Sequence, residues 1–155
     1  MSDSAPIAMA CDVTRVVLDT NVCLDLFVFD DPRCTALRAA LHAQRFEAVT
    51  RGDCRAEWLA VLAYPRLALD AERQVRAREA FDAVVRCLPD EQATALPVRL
   101  PRCADADDQK FLELAAAAGA RMLFSRDAEL LRLARRTERE GLFAILPPWG
   151  LPATV

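Results

Sequence analysis

The chain has 155 residues, 54% of them hydrophobic and 28% charged, with a formal net charge of −3. That length supplies one domain with a full core, and that composition excludes an intrinsically disordered chain. The acidic balance excludes a broadly basic surface, so any nucleic-acid affinity has to come from a local patch.

Met1 to Thr14 reads as a loose lead-in. Val16 to Leu18 is continuously apolar, as a strand buried on both faces is. Thr20 or Asn21 can cap a following helix that runs to about Phe29 and stops at Asp30-Asp31-Pro32. A second helix is expected from Pro32 to Gln44, with proline in its first turn and Leu37 and Leu41 spaced i, i+4. Phe46 to Thr50 is a strand. Asp53 to Ala63 is a helix with Trp58, Leu59 and Leu62 on one side, ended by Tyr64-Pro65. Asp70 to Leu88 reads as the longest helix, capped by Asp70, with Val75, Phe81, Val84 and Val85 as its apolar positions. Pro89 to Pro101 is a linker with room for a short strand near Leu96 to Leu100. A helix over Ala106 to Ala118, a strand over Met122 to Phe124, a helix over Asp127 to Arg139 and a strand over Phe143 to Leu146 follow.

Strands separated by helices predict an α/β fold, with a central parallel sheet of four or five strands and helices on both faces. The expected organisation is a lead-in over 1–14, a single domain over 15–147 and a C-terminal tail over 148–155. Cys11, Cys23, Cys34, Cys54, Cys87 and Cys103 never fall within four residues of one another, which excludes a Cys-x-x-Cys motif. No apolar run approaches the roughly 18 residues of a membrane span, and no signal-peptide pattern opens the chain. The expectation is a cytoplasmic protein without membrane association.

Two strands end in acids. Arg15-Val16-Val17-Leu18 leads into Asp19-Thr20-Asn21, and Met122-Leu123-Phe124 leads into Ser125-Arg126-Asp127. Carboxyl ends of parallel strands are where open α/β sheets bind ligands. Glu57 falls early in the helix after the second strand, and Asp105, Asp107 and Asp108 open a later one. Asp108, Phe111, Leu112 and Ala115 are spaced i, i+3, i+4, i+7, so Asp108 heads the buried stripe. Asp107 is rotated from it by roughly 100° and faces solvent. Asp105 is expected mainly to cap. Gathered carboxylates repel one another unless a cation is present, and Mg²⁺ or Mn²⁺ takes oxygen ligands of this kind. Such ions serve phosphodiester displacement without any histidine. Each acid also has an ordinary alternative as a helix cap or a solvated side chain.

Four blocks in this order resemble the PIN domain family: Val17-Leu18-Asp19-Thr20-Asn21; Arg55-Ala56-Glu57-Trp58-Leu59-Ala60-Val61-Leu62 with Pro65-Arg66; Asp105-Ala106-Asp107-Asp108-Gln109-Lys110-Phe111-Leu112; and Phe124-Ser125-Arg126-Asp127-Ala128-Glu129-Leu130-Leu131. The resemblance spans about Arg15 to Leu146. It is closest to the bacterial branch of toxin-antitoxin toxin components related to the VapC ribonucleases. It implies a three-layer α/β/α sandwich and a Mg²⁺- or Mn²⁺-dependent endoribonuclease. It maps the catalytic and metal-binding acids onto Asp19, Glu57, Asp108 and Asp127, with Asn21, Ser125 and Asp105 as supporting polar residues. Where the family has Asp-Pro-Asp-Asp this chain has Asp-Ala-Asp-Asp, and Ser125 stands for a threonine; neither change removes a carboxylate.

The implied partners are an RNA substrate, a small antitoxin protein and a second copy in a homodimer. Arg51, Arg55 and Arg126, close in sequence to site acids, are the candidates for RNA phosphate contacts or equally for surface ion pairs. A haloacid-dehalogenase-like phosphatase needs an acid at position 21, which is Asn21, and a receiver domain needs an acidic pair and a late lysine that are missing. The remaining alternative is a PIN-like scaffold acting through protein or RNA binding without cleavage.

Overall fold

The computed structural model of the chain describes residues 13–93 and 99–152. The lead-in residues 1–12, the linker residues 94–98 and residues 153–155 lie outside that set, and with them most of the strand expected near Leu96 to Leu100. Five strands form one all-parallel sheet in the order β3-β2-β1-β4-β5: β1 (Thr14–Leu18), β2 (Phe46–Thr50), β3 (Val85–Cys87), β4 (Met122–Phe124) and β5 (Ala144–Leu146). β1 to β3 are laid down outward in one direction. The chain then returns across β1 to place β4 on its other side. The sheet therefore reverses its winding between β1 and β4, the position where open parallel sheets leave a crevice at their carboxyl ends.

The helices are α1 (Thr20–Phe27), α2 (Thr35–His42), α3 (Gly52–Leu62), α4 (Ala71–Val84), α5 (Asp90–Ala93), α6 (Gln109–Ala118), α7 (Ala128–Leu131) and α8 (Ala134–Arg139). Side chains alternate across each strand. Val16 and Leu18 pack with α1, α2, α3 and α4 on one face, where Trp58 stacks on Phe81 at 5.2 Å and Phe27 meets both edge-on. Val17, Val49 and Leu123 pack on the opposite face with Phe111, Leu112 and Ala115 of α6 and with Leu130. The result is the expected three-layer α/β/α arrangement. α6 ends at Gly119, whose φ of +67° takes the left-handed cap that residues with a Cβ rarely adopt.

Several expectations need correction. The long helix stops at Val84, and Val85–Cys87 is the third strand; Val75 is exposed, and Ala77 fills the core position beside Phe81. The second helix begins as a 3₁₀ turn over Pro32–Cys34, with α-helix only from Thr35. The stretch Asp127 to Arg139 is two short helices rather than one. Asp19, not Thr20 or Asn21, caps α1. At the far end, Leu151 packs against the core, and the Arg33 guanidinium lies 4.4 Å from the Trp149 ring centroid.

Candidate active site

β1 and β4 are paired in register, Leu18 opposite Phe124, so the residues that follow them emerge side by side. The Asp19 N–H donates to the Phe124 carbonyl at 3.1 Å. Asp19 is 3% exposed and uses its two oxygens differently. Oδ1 accepts the Val22 N–H at 2.9 Å and thereby caps α1, while Oδ2 accepts the Ser125 hydroxyl. Ser125, fully buried, in turn accepts the Asp127 N–H on its Oγ at 2.9 Å. One hydroxyl thus ties together the two strand-end acids. Asp127 Oδ1 accepts the Glu129 N–H at 2.7 Å and starts α7.

The third contribution comes from the segment before α6. Asp105 accepts the Asp107 N–H at 3.0 Å, and Ala106–Asp108 forms a 3₁₀ turn before the α-helix begins at Gln109. Asp108 is therefore not inside the first α-helical turn, as its spacing suggested. Its burial still follows the expected phase: Asp108 is half-buried, Asp107 exposed, and Phe111, Leu112 and Ala115 are in the core. Carboxylate oxygens of Asp105, Asp108 and Asp127 all lie within 4.8 Å of one another. Asp105 is thus a member of the acid cluster as well as a cap. Asp108 Oδ2 is buried without a hydrogen-bond partner among the described residues.

The electrostatics follow from that crowding. Burial pushes the Asp19 carboxyl up to about 6, against the hydrogen bonds from Ser125 and Val22 and the charge of Arg126. Burial also raises Asp108, to about 7, with the carboxyl contact and charge of Asp127 and the charges of Asp105 and Asp19 adding to it. Repulsion within the cluster and an orphaned buried oxygen are what a bound cation removes. An all-oxygen donor set suits a hard divalent ion.

The remaining expected residues are placed differently. Glu57 and Asp19 are not part of the three-acid group. Glu57 receives the Thr20 hydroxyl on Oε2 and the Lys110 ammonium on Oε1, the latter at 2.6 Å. Asn21 is exposed on α1. Arg51 is buried, bonded to Asp53 at 2.7 Å, to Glu113 at 2.9 Å and to the Ala93 carbonyl at 2.9 Å. Arg55 forks onto Asp82, and Arg126 onto buried Asp25 at 2.6 Å. Sequence reasoning missed Thr20 and Lys110 as site neighbours. Lys110 was signalled only by being the single lysine, two positions after Asp108.

A family profile described as a PIN domain matches residues 15–129, which holds every one of these acids. The chain belongs to the PIN domain family. No curated protein and no solved structure matches it. PIN domains are generally nucleases and usually use divalent metal ions, and the Asp105–Asp108–Asp127 cluster suits such an ion.

Proposed function

We propose that this PIN domain is a Mg²⁺- or Mn²⁺-dependent endoribonuclease, the toxin component of a toxin-antitoxin pair. The observation that carries the nuclease reading is the cluster of Asp105, Asp108 and Asp127 at the winding reversal of the sheet, with Asp108 Oδ2 buried and unpartnered. Asp105, Asp108 and Asp127, with Asp19 beside them, would hold the ion. Bound there, it supplies Lewis-acid stabilisation of the phosphate oxygens and lowers the pKa of water. Asp19 keeps Ser125 in place, and Ser125 fixes the backbone of Asp127. Glu57, held by Thr20 and Lys110, stands next to Asp19 through the Asp19–Thr20 peptide and would orient attacking water.

The test is cleavage of single-stranded RNA by the purified chain. Cleavage should need Mg²⁺ or Mn²⁺, stop in EDTA and leave 5′-phosphate ends. It should fall by orders of magnitude in Asp108→Asn and Asp127→Asn. Cyclic-phosphate ends, or cleavage that survives EDTA, would eliminate metal-assisted hydrolysis. The toxin reading rests on the resemblance of the four sequence blocks to that bacterial branch. It predicts growth arrest on induction, relief by the product of a small adjacent gene, a homodimer in light scattering and a cytoplasmic location. Binding of RNA without cleavage at any metal concentration would favour the scaffold reading instead.

A further inference from the structure

RNA approaching Asp19, Asp105, Asp108, Asp127 and Glu57 brings more negative charge to an acidic notch. A cationic side chain beside the ion would add to its charge in facing the phosphates. Three arginines close in sequence to the acids are committed elsewhere, Arg51 to Asp53 and Glu113, Arg55 to Asp82, and Arg126 to Asp25, while Arg102, three residues before Asp105, is exposed. Lys110 is different, because its partner is the site acid Glu57. It stands two residues after Asp108 at the start of α6. Its ammonium carries three donors. One goes to Glu57 Oε1 and one to the Asp107 carbonyl. The third has no hydrogen-bond partner among the described residues.

Glu57 also accepts from Thr20, so it stays anchored if Lys110 turns away. A flexible stem with a point charge can exchange one oxygen partner for another more readily than a forked arginine pair can.

We propose that Lys110 is a substrate-contacting residue, whose ammonium binds a non-bridging oxygen of the RNA phosphate at the acid cluster and offsets the repulsion between them. Glu57 is then its positioning residue. The inference rests on the nuclease reading above.

The test compares Lys110→Met, Lys110→Gln, Lys110→Arg and Glu57→Gln with the unaltered chain. Binding of a labelled single-stranded oligoribonucleotide is followed by fluorescence anisotropy across a salt series, with Ca²⁺ in place of Mg²⁺. Losing one phosphate contact should flatten the plot of log K against log salt by about 0.7 in both neutral variants. Lys110→Arg and Glu57→Gln, which keep the cation, should retain the original slope. Calorimetric Mn²⁺ affinity should be unchanged or tighter in Lys110→Met, while cleavage falls roughly hundredfold, as when one charge-stabilising donor is lost. An unchanged slope in the neutral variants, in a chain that otherwise binds and cleaves RNA, would overturn the assignment. So would a slope that moves equally in Glu57→Gln, or loss of Mn²⁺ binding in Lys110→Met, since either makes the ion pair structural. Failure of the unaltered chain to bind or cleave RNA would remove the nuclease reading itself, and the role of Lys110 with it.

Discussion

Ser125 donates its hydroxyl to Asp19 Oδ2 although the two residues stand 106 positions apart. The bond exists because β1 and β4 are neighbours in register, and both partners are shut away from water. Ser125→Ala should therefore destabilise the protein at about pH 8 by roughly 1.5–3 kcal/mol, the range for a hydrogen bond to a charged group. The loss should shrink at about pH 5, where Asp19, with its carboxyl near 6, is largely protonated. Urea denaturation at the two pH values checks this. Equal losses at both would mean that the bond does not favour the ionised carboxylate.

Asp19 and Asp108 have carboxyls raised from 3.8 to about 6 and about 7. Between those values the folded chain holds more protons than the unfolded chain, so stability falls as pH rises. In EDTA, the contribution of these two acids is full below about pH 4 and lost as pH climbs through about 6 and then about 7. Denaturation midpoints should decline from about pH 5 to about pH 8. Asp108→Asn should remove the upper part of that decline, and Asp19→Asn should be neutral or stabilising without metal at neutral pH. A midpoint that rises across this window would contradict the burial of the acids.

Mn²⁺ should raise the melting temperature, because an ion that binds only the folded chain stabilises it by mass action, by about 2.7 kcal/mol at a hundred times its dissociation constant. The rise should be larger at about pH 8 than at about pH 5, where protons compete for the same oxygens. Asp108→Asn and Asp127→Asn should abolish it, and exposed Asp107→Ala should keep it. If Asp107→Ala proves the most damaging, the turn before α6 is out of register by one residue.

Asp105 does two jobs, so Asp105→Ala should show two effects. Loss of the bond to the Asp107 N–H should cost on the order of 1 kcal/mol, as a lost cap does. Loss of one carboxylate should also weaken the Mn²⁺ response. Asp105→Asn keeps the capping oxygen and should separate the two, showing the metal effect with little change in metal-free stability.

Arg126 and Asp25 form an asymmetric pair, the acid side chain 4% exposed and the arginine 33%. Arg126→Ala strands a buried carboxylate and should cost about 3 kcal/mol, whereas Asp25→Ala leaves a guanidinium that can turn to water and should cost less. Denaturant titrations of both variants and the double variant give the order. If Asp25→Ala is the worse of the two, the pair is not stabilised as its burial implies.

Much of this was legible in the sequence for a physical reason. β1, β4 and β5 hold short apolar runs at Val16–Leu18, Met122–Phe124 and Ala144–Leu146, because parallel strands covered on both faces cannot alternate. β3 was hidden, since Val84, Val85 and Leu88 continue the helical spacing of α4 with no Gly or Pro between them. The phase argument ranked Asp108 above Asp107, because burial depends on spacing even when the first turn is 3₁₀ rather than α. It underrated Asp105, since a cap and a cluster member look alike in sequence. The cap of α1 was not legible either, because nothing in Asp19-Thr20-Asn21 tells which side chain turns back toward Val22. The Lys110–Glu57 and Arg126–Asp25 pairs span 53 and 101 positions. No periodicity encodes contacts of that kind.

The order β3-β2-β1-β4-β5 has a consequence for how the molecule comes to exist. Its central strand is the first strand among the described residues, yet one long side of that strand stays unpaired until residues 122–124 arrive. Pairings so distant in sequence slow folding, because the intervening loop must close before they contribute. During that interval β1 offers bare backbone edge, and Asp19 lacks the hydroxyl that holds it. A chain interrupted before Ser125 would carry most of the core-forming residues and none of the assembled acid cluster. Whatever chemistry the notch performs is thus confined to chains that have been made past Asp127.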